Sequence, residues 1–138
     1  MNPRVICSPL LARLAASAAS IDAPQSGPAP MMIHRTPAGV ELFFLAERPG
    51  EANCYAVIDP ADRQAAVIDP GFRNGQGMSD WLKRQNIDVA CVLITHAHAD
   101  HLGGLEPFLQ KTTAVVVTHP VEFGRVPDGC KSCSRDAT

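Results

Sequence analysis

Apolar and polar residues alternate in short runs once the chain passes residue 40. Three such runs, at residues 40–46, 54–59 and 65–69, are each bounded by Pro, Gly or Asp. Short runs that end at turn-forming residues predict β-strands. Because the second and third runs are separated by only a few polar residues, we predict that they pair as a hairpin.

A glycine-rich segment follows the hairpin. Residues 71–77 contain three glycines and are predicted to form a loop. Ser79 is predicted to cap a short helix that runs through Gln85, because a serine hydroxyl can accept the free amides of a first helical turn. Trp81 and Leu82 would then face inward. No Lys-Ser/Thr pair follows the glycines, so a phosphate-binding P-loop is not supported.

The most continuous apolar run covers residues 89–94. Its length and its β-branched residues predict a strand that is covered on both faces. A short helix is predicted over residues 105–110, and another buried strand over residues 114–118. The order strand, loop, helix, strand predicts an α/β fold whose functional groups lie at the carboxyl end of a strand.

The two ends of the chain lack this pattern. We interpret residues 1–31 as a flexible or targeting-like extension, residues 32–126 as a partial domain and residues 127–138 as an unstructured tail. Residues 1–20 contain two arginines and no acidic residue, which allows three interpretations. They are an organelle transit peptide, a secretory signal that Arg13 weakens, or an uninformative extension. We favour the extension because Met31 and Met32 stand directly before the patterned region.

Composition and charge narrow the class of partner. The chain has 138 residues, of which 46% are hydrophobic, enough to bury the core of one domain. Its net charge is -2 and no basic run exceeds two residues, so we expect a small-molecule substrate and neither nucleic acid nor membrane. The five cysteines indicate a reducing compartment, the cytoplasm unless residues 1–30 act as a transit peptide. The oligomeric state stays open.

The candidate chemistry is concentrated in residues 95–101, whose sequence is Thr-His-Ala-His-Ala-Asp-His. These positions hold three of the five histidines of the chain and directly follow a predicted strand. Imidazole and carboxylate are ligands that catalytic zinc prefers, so this cluster predicts a metal site. A solvated polar loop is the alternative, and the aspartate followed by Gly103-Gly104 argues against it.

The spacing of the ligands predicts how they are shared. In an extended segment His96 and His98 point to the same side, so they can bind one ion. Asp100 and His101 are adjacent and, with a turn between them, can face a second ion. Two ions about 3.5–4 Å apart can share a hydroxide, polarise a carbonyl and stabilise an oxyanion. Such a site needs no catalytic serine or cysteine.

These residues resemble a known family. Residues 95–101 followed by Leu102-Gly103-Gly104 are similar to the T-H-x-H-x-D-H signature of the metallo-β-lactamase superfamily. Asn53-Cys54-Tyr55 and Ile68-Asp69-Pro70-Gly71 resemble its glyoxalase II-like, or hydroxyacylglutathione hydrolase-like, branch. The resemblance runs from about Met32 to Glu122, roughly the first half of that catalytic domain. It implies an α/β fold, namely a truncated half of an αββα sandwich with a mixed sheet and covering helices.

The resemblance also implies roles for individual residues. His96 and His98 would be ligands of the first metal, Asp100 and His101 would be ligands of the second, and Asp100 would be the catalytic residue. Asp69 would help to position the site from the neighbouring strand end. The implied cofactor is Zn2+, two ions per complete site, with Fe or Mn possible. The implied reaction is hydrolysis of a thioester or related acyl bond by metal-bound hydroxide.

The chain departs from the family pattern downstream of the signature. The resemblance calls for seven protein ligands, and this sequence supplies four. His119 is the only later histidine and, standing alone after a predicted strand, is a weak candidate. Two alternatives therefore stay open. One is a catalytically inactive fragment with at most weak metal binding, and the other is a persulfide dioxygenase-like enzyme with one iron at His96 and His98.

The remaining candidates have structural interpretations. Asp59 is interpreted as the end of a strand, and Trp81 and Phe108 as core residues. Cys130 and Cys133 form a C-x-x-C that could bind metal or exchange disulfides. A single pair in an unpatterned tail is weak support for either role, so we interpret this tail as inert.

Overall fold

The computed structural model describes residues 29–46 and 49–127 of the chain. This part holds one six-stranded sheet with three α-helices and a short 3-10 helix. The strands are β1 (Met31–Arg35), β2 (Glu41–Leu45), β3 (Cys54–Asp59), β4 (Gln64–Ile68), β5 (Asp88–Ile94) and β6 (Val115–Thr118). The helices are α1 (Phe72–Arg84), α2 (Ala99–Leu102), α3 (Leu105–Leu109) and the 3-10 turn Phe123–Arg125.

The strands lie in the sheet in their sequence order. From β1 to β4 the pairs are antiparallel, which confirms the predicted hairpin of β3 and β4. Asp59 ends β3, and its Oδ1 accepts the amide of Ala61 at 2.9 Å in the turn. From β4 to β6 the pairs are parallel, because α1 and the α2–α3 segment return the chain to the same end of the sheet. The carboxyl ends of β4, β5 and β6 therefore meet at one edge.

One face of the sheet forms the hydrophobic core. Alternate residues of the strands are buried there, as expected for a period of two. The buried strand residues are Leu45, Cys54, Ala56, Ile58, Ala65, Val67, Val89, Val92, Ile94 and Val116. Met78, Trp81 and Leu82 of α1 and Leu105 and Phe108 of α3 complete the same cluster, so Trp81 and Phe108 are confirmed as core residues. The helices thus cover this face.

The opposite face is only partly covered within the described residues. Cys91 and Leu93 of β5 are half-buried, and Val115 and Val117 of β6 are 41% and 39% exposed. The prediction that residues 89–94 are covered on both faces is therefore wrong here, and so is the prediction of a buried strand at residues 114–118. The physical reason is that α1 and α3 pack on one side, and β6 lies at the edge of the sheet.

Helix α1 begins eight residues earlier than predicted, with Gly71 and not Ser79 as its N-cap residue. Ser79 does not cap it but is buried in its interior, and the predicted glycine-rich loop is helical from Phe72 onward. The carboxylate of Glu51 accepts the amides of Arg73 at 2.9 Å and Asn74 at 3.1 Å, so a residue distant in sequence satisfies the first turn. Local sequence gave no sign of this contact, which is why the predicted start was wrong.

Strand β1 was not predicted because its residues are all exposed and show no alternation. It is held by backbone pairing with β2, and the side chains of Arg35 and Glu41 form an ion pair. The predicted amino-terminal extension and carboxyl-terminal tail, with Cys130 and Cys133, lie outside the described residues. In the part of the chain that is described, no helix is long and apolar enough to cross a membrane.

Candidate metal centre

The histidine segment leaves the carboxyl end of β5, at the edge where the three parallel strands end. Thr95 to His98 are extended or bent, and α2 then begins at Ala99 with His98 as its N-cap residue. Asp100 and His101 lie in this single helical turn, where the chain leaves the extended conformation of the preceding residues. The turn predicted at Asp100 and His101 is therefore present, as a short helix.

Asp69, at the end of β4, holds this segment from one side. Its carboxylate is buried and accepts the amide of Thr95 at 2.8 Å and the Thr95 hydroxyl at 2.6 Å. The same carboxylate lies 2.9 Å from Nδ1 of His101. Asp69 also has a φ of 50°, a left-handed conformation that aspartate tolerates better than most residues. Because its carboxylate makes these three contacts, Asp69 is a pre-organised support for the loop.

These contacts determine which imidazole nitrogens are free. Nδ1 of His101 faces Asp69, so the inferred tautomer carries its proton there and leaves Nε2 as an acceptor. Nδ1 of His96 lies 3.1 Å from the Thr95 hydroxyl oxygen, which already donates to Asp69 and so accepts from the ring. Nε2 of His96 is thereby left as an acceptor as well. Both rings turn a lone pair toward the site.

His96 and His98 present two ring nitrogens to each other. Nε2 of His96 lies 3.1 Å from Nδ1 of His98, and the ring centroids are 4.5 Å apart in an edge-on arrangement. Two nitrogen ligands of a tetrahedral zinc ion are about 3.3 Å apart when each bond is about 2.0–2.1 Å. A shared proton or a cation can satisfy both nitrogens at this separation. The pair thus fits a metal ion by the chemistry and spacing of its donors.

Asp100 and His101 form a second pair of donors. Oδ2 of Asp100 lies 3.6 Å from Nε2 of His101, the nitrogen that the contact with Asp69 leaves free. The His101 ring also lies 3.9 Å, centroid to centroid, from that of His96, so the two pairs are adjacent. The four residues predicted as ligands are therefore brought together as two neighbouring pairs. Their assignment to particular ions stays a prediction.

Each pair by itself is an incomplete coordination shell. Structural and catalytic zinc sites take three or four protein ligands. Across the described ranges, no group of three or more His, Cys, Asp or Glu side chains is arranged to hold one ion. His119 belongs to no such group, and its Nδ1 instead accepts the amide of Val121 at 3.3 Å in its own turn. The segment supplies two donors per ion.

Cys54 lies close to the site without sharing its chemistry. Burial, reinforced by the negative charge of Asp69, raises the pKa of the Cys54 thiol to about 12. A metal ligand must be the thiolate, so a neutral buried thiol is a poor ligand. Cys54 instead lies in the core as a small apolar side chain at the start of β3.

Two close backbone contacts pack the motifs of the sequence against each other. A Cβ atom at Gly104 would collide with the carbonyl oxygens of Pro70 and Gly71. The second glycine after the histidine segment is therefore needed so that the chain can pass the end of β4. The Asp-Pro-Gly and Gly-Gly segments, which the sequence shows as separate motifs, form one support beneath the loop.

The sequence prediction missed one contact at the site. Oε2 of Glu122, just after β6, accepts the amide of Ala97 at 3.0 Å, between the two histidines. The parallel order of β5 and β6 could have pointed to it, since residues that follow neighbouring parallel strands share an edge. The loop is thus contacted by one carboxylate from each neighbouring strand end, Asp69 and Glu122.

Comparison with known proteins gives the class of this site. The sequence profile of the metallo-β-lactamase superfamily matches residues 48–134. A hydroxyacylglutathione hydrolase of Vibrio cholerae is 34% identical over 83 residues, which cover 52% of this chain and 32% of that protein. The probable metallo-hydrolase YqgX of Bacillus subtilis is 34% identical over 80 residues, 58% of this chain and 36% of that protein. The chain spans about a third of the length of these curated relatives.

Solved structures agree on the fold. The metallo-β-lactamase SMB-1 aligns with a TM-score of 0.55 at 19% identity, over 75% of this chain and 40% of that one. The metallo-β-lactamase DIM-1 aligns with a TM-score of 0.51 at 14% identity, over 80% of this chain and 52% of that one. The chain belongs to the metallo-β-lactamase superfamily. The predicted family and the predicted fold class, part of a metallo-β-lactamase-type α/β sandwich, are confirmed.

Proposed function

We propose that this chain carries the metal-binding segment of a metal-dependent hydrolase that cleaves a thioester or a related acyl bond. The observation that carries the proposal is the pair of imidazole nitrogens, on His96 and His98, that face each other across 3.1 Å. The similarity to hydroxyacylglutathione hydrolases favours a thioester as substrate. A proton shared by the two rings would also satisfy both nitrogens, so the metal content of the protein is the measurement that separates the two interpretations.

In this proposal His96 and His98 hold one ion, and Asp100 and His101 hold the second. When bound, such ions lower the pKa of a water to about 7 and polarise the carbonyl of the substrate. Zinc is the ion that we propose first, because imidazole and carboxylate donors suit it, although the same donors also accept iron. The contacts of Asp69 with Thr95 and His101 fix the start of the loop and the orientation of the His101 ring, so that Nε2 of His101 would be available to an ion.

Asp100 is the proposed catalytic residue. Its side chain is 44% exposed, more open than the 19% of His101 beside it, so it faces the side from which a substrate arrives. A carboxylate in this position binds an ion and accepts a hydrogen bond from a water. Orientation of the attacking water is therefore the role that the exposed carboxylate supports best.

A second candidate function, metal binding without hydrolysis, is supported by a separate observation. Each proposed ion has only two donors among the described residues, and the chain spans about a third of its curated relatives. A partial ligand set binds metal weakly and leaves an ion mobile. The chain by itself would then bind metal without hydrolysing a substrate.

Metal content and hydrolysis of hydroxyacylglutathione by the same purified preparation test the proposal. The protein is purified without an affinity metal, dialysed against zinc and analysed for bound metal by elemental analysis. We expect bound zinc that is lost in His96→Ala/His98→Ala and kept in His34→Ala, which removes an exposed imidazole on β1. Zinc binding together with hydrolysis supports the hydrolase. Zinc binding without hydrolysis supports the second candidate, and zinc retained by the double variant contradicts both.

A further inference from the structure

We propose that Glu122 is a positioning residue for the metal-binding loop, acting through the backbone of Ala97. The inference rests on the proposed function, because the geometry that Glu122 fixes is that of His96 and His98. Oε2 of Glu122 accepts the Ala97 amide at 3.0 Å, and the residue lies in the turn that follows β6.

The contact with Glu122 matters because of where the Ala97 amide lies in the loop. The peptide between His96 and Ala97 lies between the two ring-bearing residues, so its orientation decides whether both rings face the same point. A hydrogen bond from a backbone amide to a carboxylate is charge-assisted, hence shorter and stronger than a neutral one. Glu122 therefore restricts rotation at the place where the distance between Nε2 of His96 and Nδ1 of His98 is set.

The surroundings of Glu122 favour this role over a packing role. Its side chain is 20% exposed, and its other described charged contact is the 68% exposed Arg125 at 3.8 Å. Glu122 is not part of the core cluster of the described residues; the residue of its segment that packs against that cluster is Val126. The turn itself is closed by the backbone, where the Glu122 amide donates to the His119 carbonyl at 2.9 Å. The carboxylate is thus free to serve the loop.

The inference gives the loop two supports of different kinds. Asp69, from the end of β4, fixes Thr95 and the His101 ring, whereas Glu122, from the end of β6, fixes the peptide between the first two histidines. The sheet brings both carboxylates to β5 because β4 and β6 are its parallel neighbours. The positions of both donor pairs therefore depend on the register of three strands.

Zinc affinity of the full chain, measured by competition with a colorimetric chelator, tests the inference. For Glu122→Ala we expect binding about 10- to 100-fold weaker than for the unmodified chain, as for other residues that orient metal ligands. Glu122→Gln keeps an acceptor oxygen and should lose less, within about threefold of the unmodified chain, because only the charge assistance is removed. Glu106→Ala, which removes an exposed carboxylate from α3, is the matched control and should leave the affinity unchanged.

Amide hydrogen exchange in the metal-free protein supplies a readout that does not involve zinc. We expect the Ala97 amide to exchange faster in Glu122→Ala, while amides of β3 and β4 keep their protection. Zinc affinity of Glu122→Ala within twofold of the unmodified chain, or an unchanged Ala97 amide, would overturn the inference. If Glu122→Ala does not fold, Glu122→Asp, which keeps the charge and shortens the side chain by one methylene, takes its place with the same expected and overturning results.

The two proposals fail in different ways. If the unmodified chain binds no zinc, the proposed function fails. The exchange of the Ala97 amide then still tests whether Glu122 fixes the loop. If the unmodified chain binds zinc and Glu122→Ala binds it equally well, only the inference about Glu122 fails.

Discussion

The two edges of the parallel part of the sheet use their polar groups in opposite ways. At the carboxyl edge, carboxylates of Asp69 and Glu122 hold a loop whose own imidazoles and carboxylate face one another. At the amino edge lies a cavity of about 970 Å³ lined by polar and apolar residues that include Lys83, Asp88 and Lys111. This cavity lies at the edge without the histidines.

The difference teaches that hydrogen-bond direction, more than volume, identifies a site. At the amino edge, the guanidinium of Arg63 donates to the carbonyls of Gln85 at 2.6 Å and Asn86 at 3.0 Å, just after α1. Those groups satisfy each other and tie the start of β4 to the residues after α1. At the carboxyl edge, the supporting residues satisfy the backbone and leave ring nitrogens free.

The largest expected effect comes from removing the buried carboxylate at the carboxyl edge. Asp69→Ala should lower the free energy of unfolding by about 3–5 kcal/mol, because it removes three contacts with Thr95 and His101 and leaves an alanine in a left-handed backbone conformation. Zinc affinity should fall in the same variant. Denaturant unfolding and zinc competition measure the two effects.

Asp69→Asn is the matched control for this prediction. Asparagine tolerates the left-handed backbone of Asp69 and keeps one acceptor oxygen, so a loss of about 1–3 kcal/mol is expected. If Asp69→Ala unfolds with the same free energy as the unmodified chain, the carboxyl edge is not held by this carboxylate, and the contrast between the edges is lost.

A smaller effect, on stability alone, is expected at the amino edge. Arg63→Ala removes two hydrogen bonds that link the start of β4 to the residues after α1, which should cost about 1–2 kcal/mol. Zinc affinity should stay the same because the site lies at the other end of the strands. A parallel loss of zinc affinity would show that the two edges are coupled and would argue against treating them separately.

The smallest expected effect is a pH dependence near the amino edge. Burial alone would raise the pKa of Asp80, but hydrogen bonds from Gln76 and Lys111 and the charges of Lys111 and Arg84 outweigh it and lower the pKa. A lowered pKa in the folded state stabilises the protein above the unfolded-state value, and this stabilisation is lost as the pH falls through the folded-state pKa. The window therefore lies below about pH 4.

The change in unfolding free energy that Asp80 causes should be small, because its side chain is 46% exposed and solvent screens its ion pair with Lys111. We expect at most about 1 kcal/mol between neutral and acidic pH, absent in Asp80→Asn. Unfolding free energies of both proteins, measured from pH 7 to pH 3, should converge at the acidic end. Parallel curves would mean that Asp80 makes no difference to acid stability.

The sequence predicted the sheet better than the helices. The strands β2 to β6 lie within one residue of the predicted runs, because alternation and turn residues mark a half-buried strand locally. The start of α1 was wrong by eight residues, since Glu51 caps it from across the fold. Strand β1 was missed because it is held by backbone pairing and has no buried face to impose a pattern.

In the candidate site, too, the sequence identified residues that are neighbours along the chain and missed contacts between distant ones. The sequence identified His96, His98, Asp100 and His101 as one cluster, because chemically suitable residues stand at adjacent positions. It did not identify Glu122, which comes from another strand end and reaches the loop only after β5 and β6 pair. Nor could it tell which nitrogen of each ring is free, since hydrogen-bond partners from elsewhere determine the tautomer.

The sequence by itself determined the superfamily, the order of the strands after the first and the residues that hold the candidate chemistry. Each of these depends on groups that are neighbours along the chain. The tertiary structure decided the start of α1, the exposed face of the sheet, the orientation of the imidazoles and the contacts that Asp69 and Glu122 make with the loop. The physical reason is that a hydrogen bond between distant residues exists only once the sheet has brought their strand ends to a common edge.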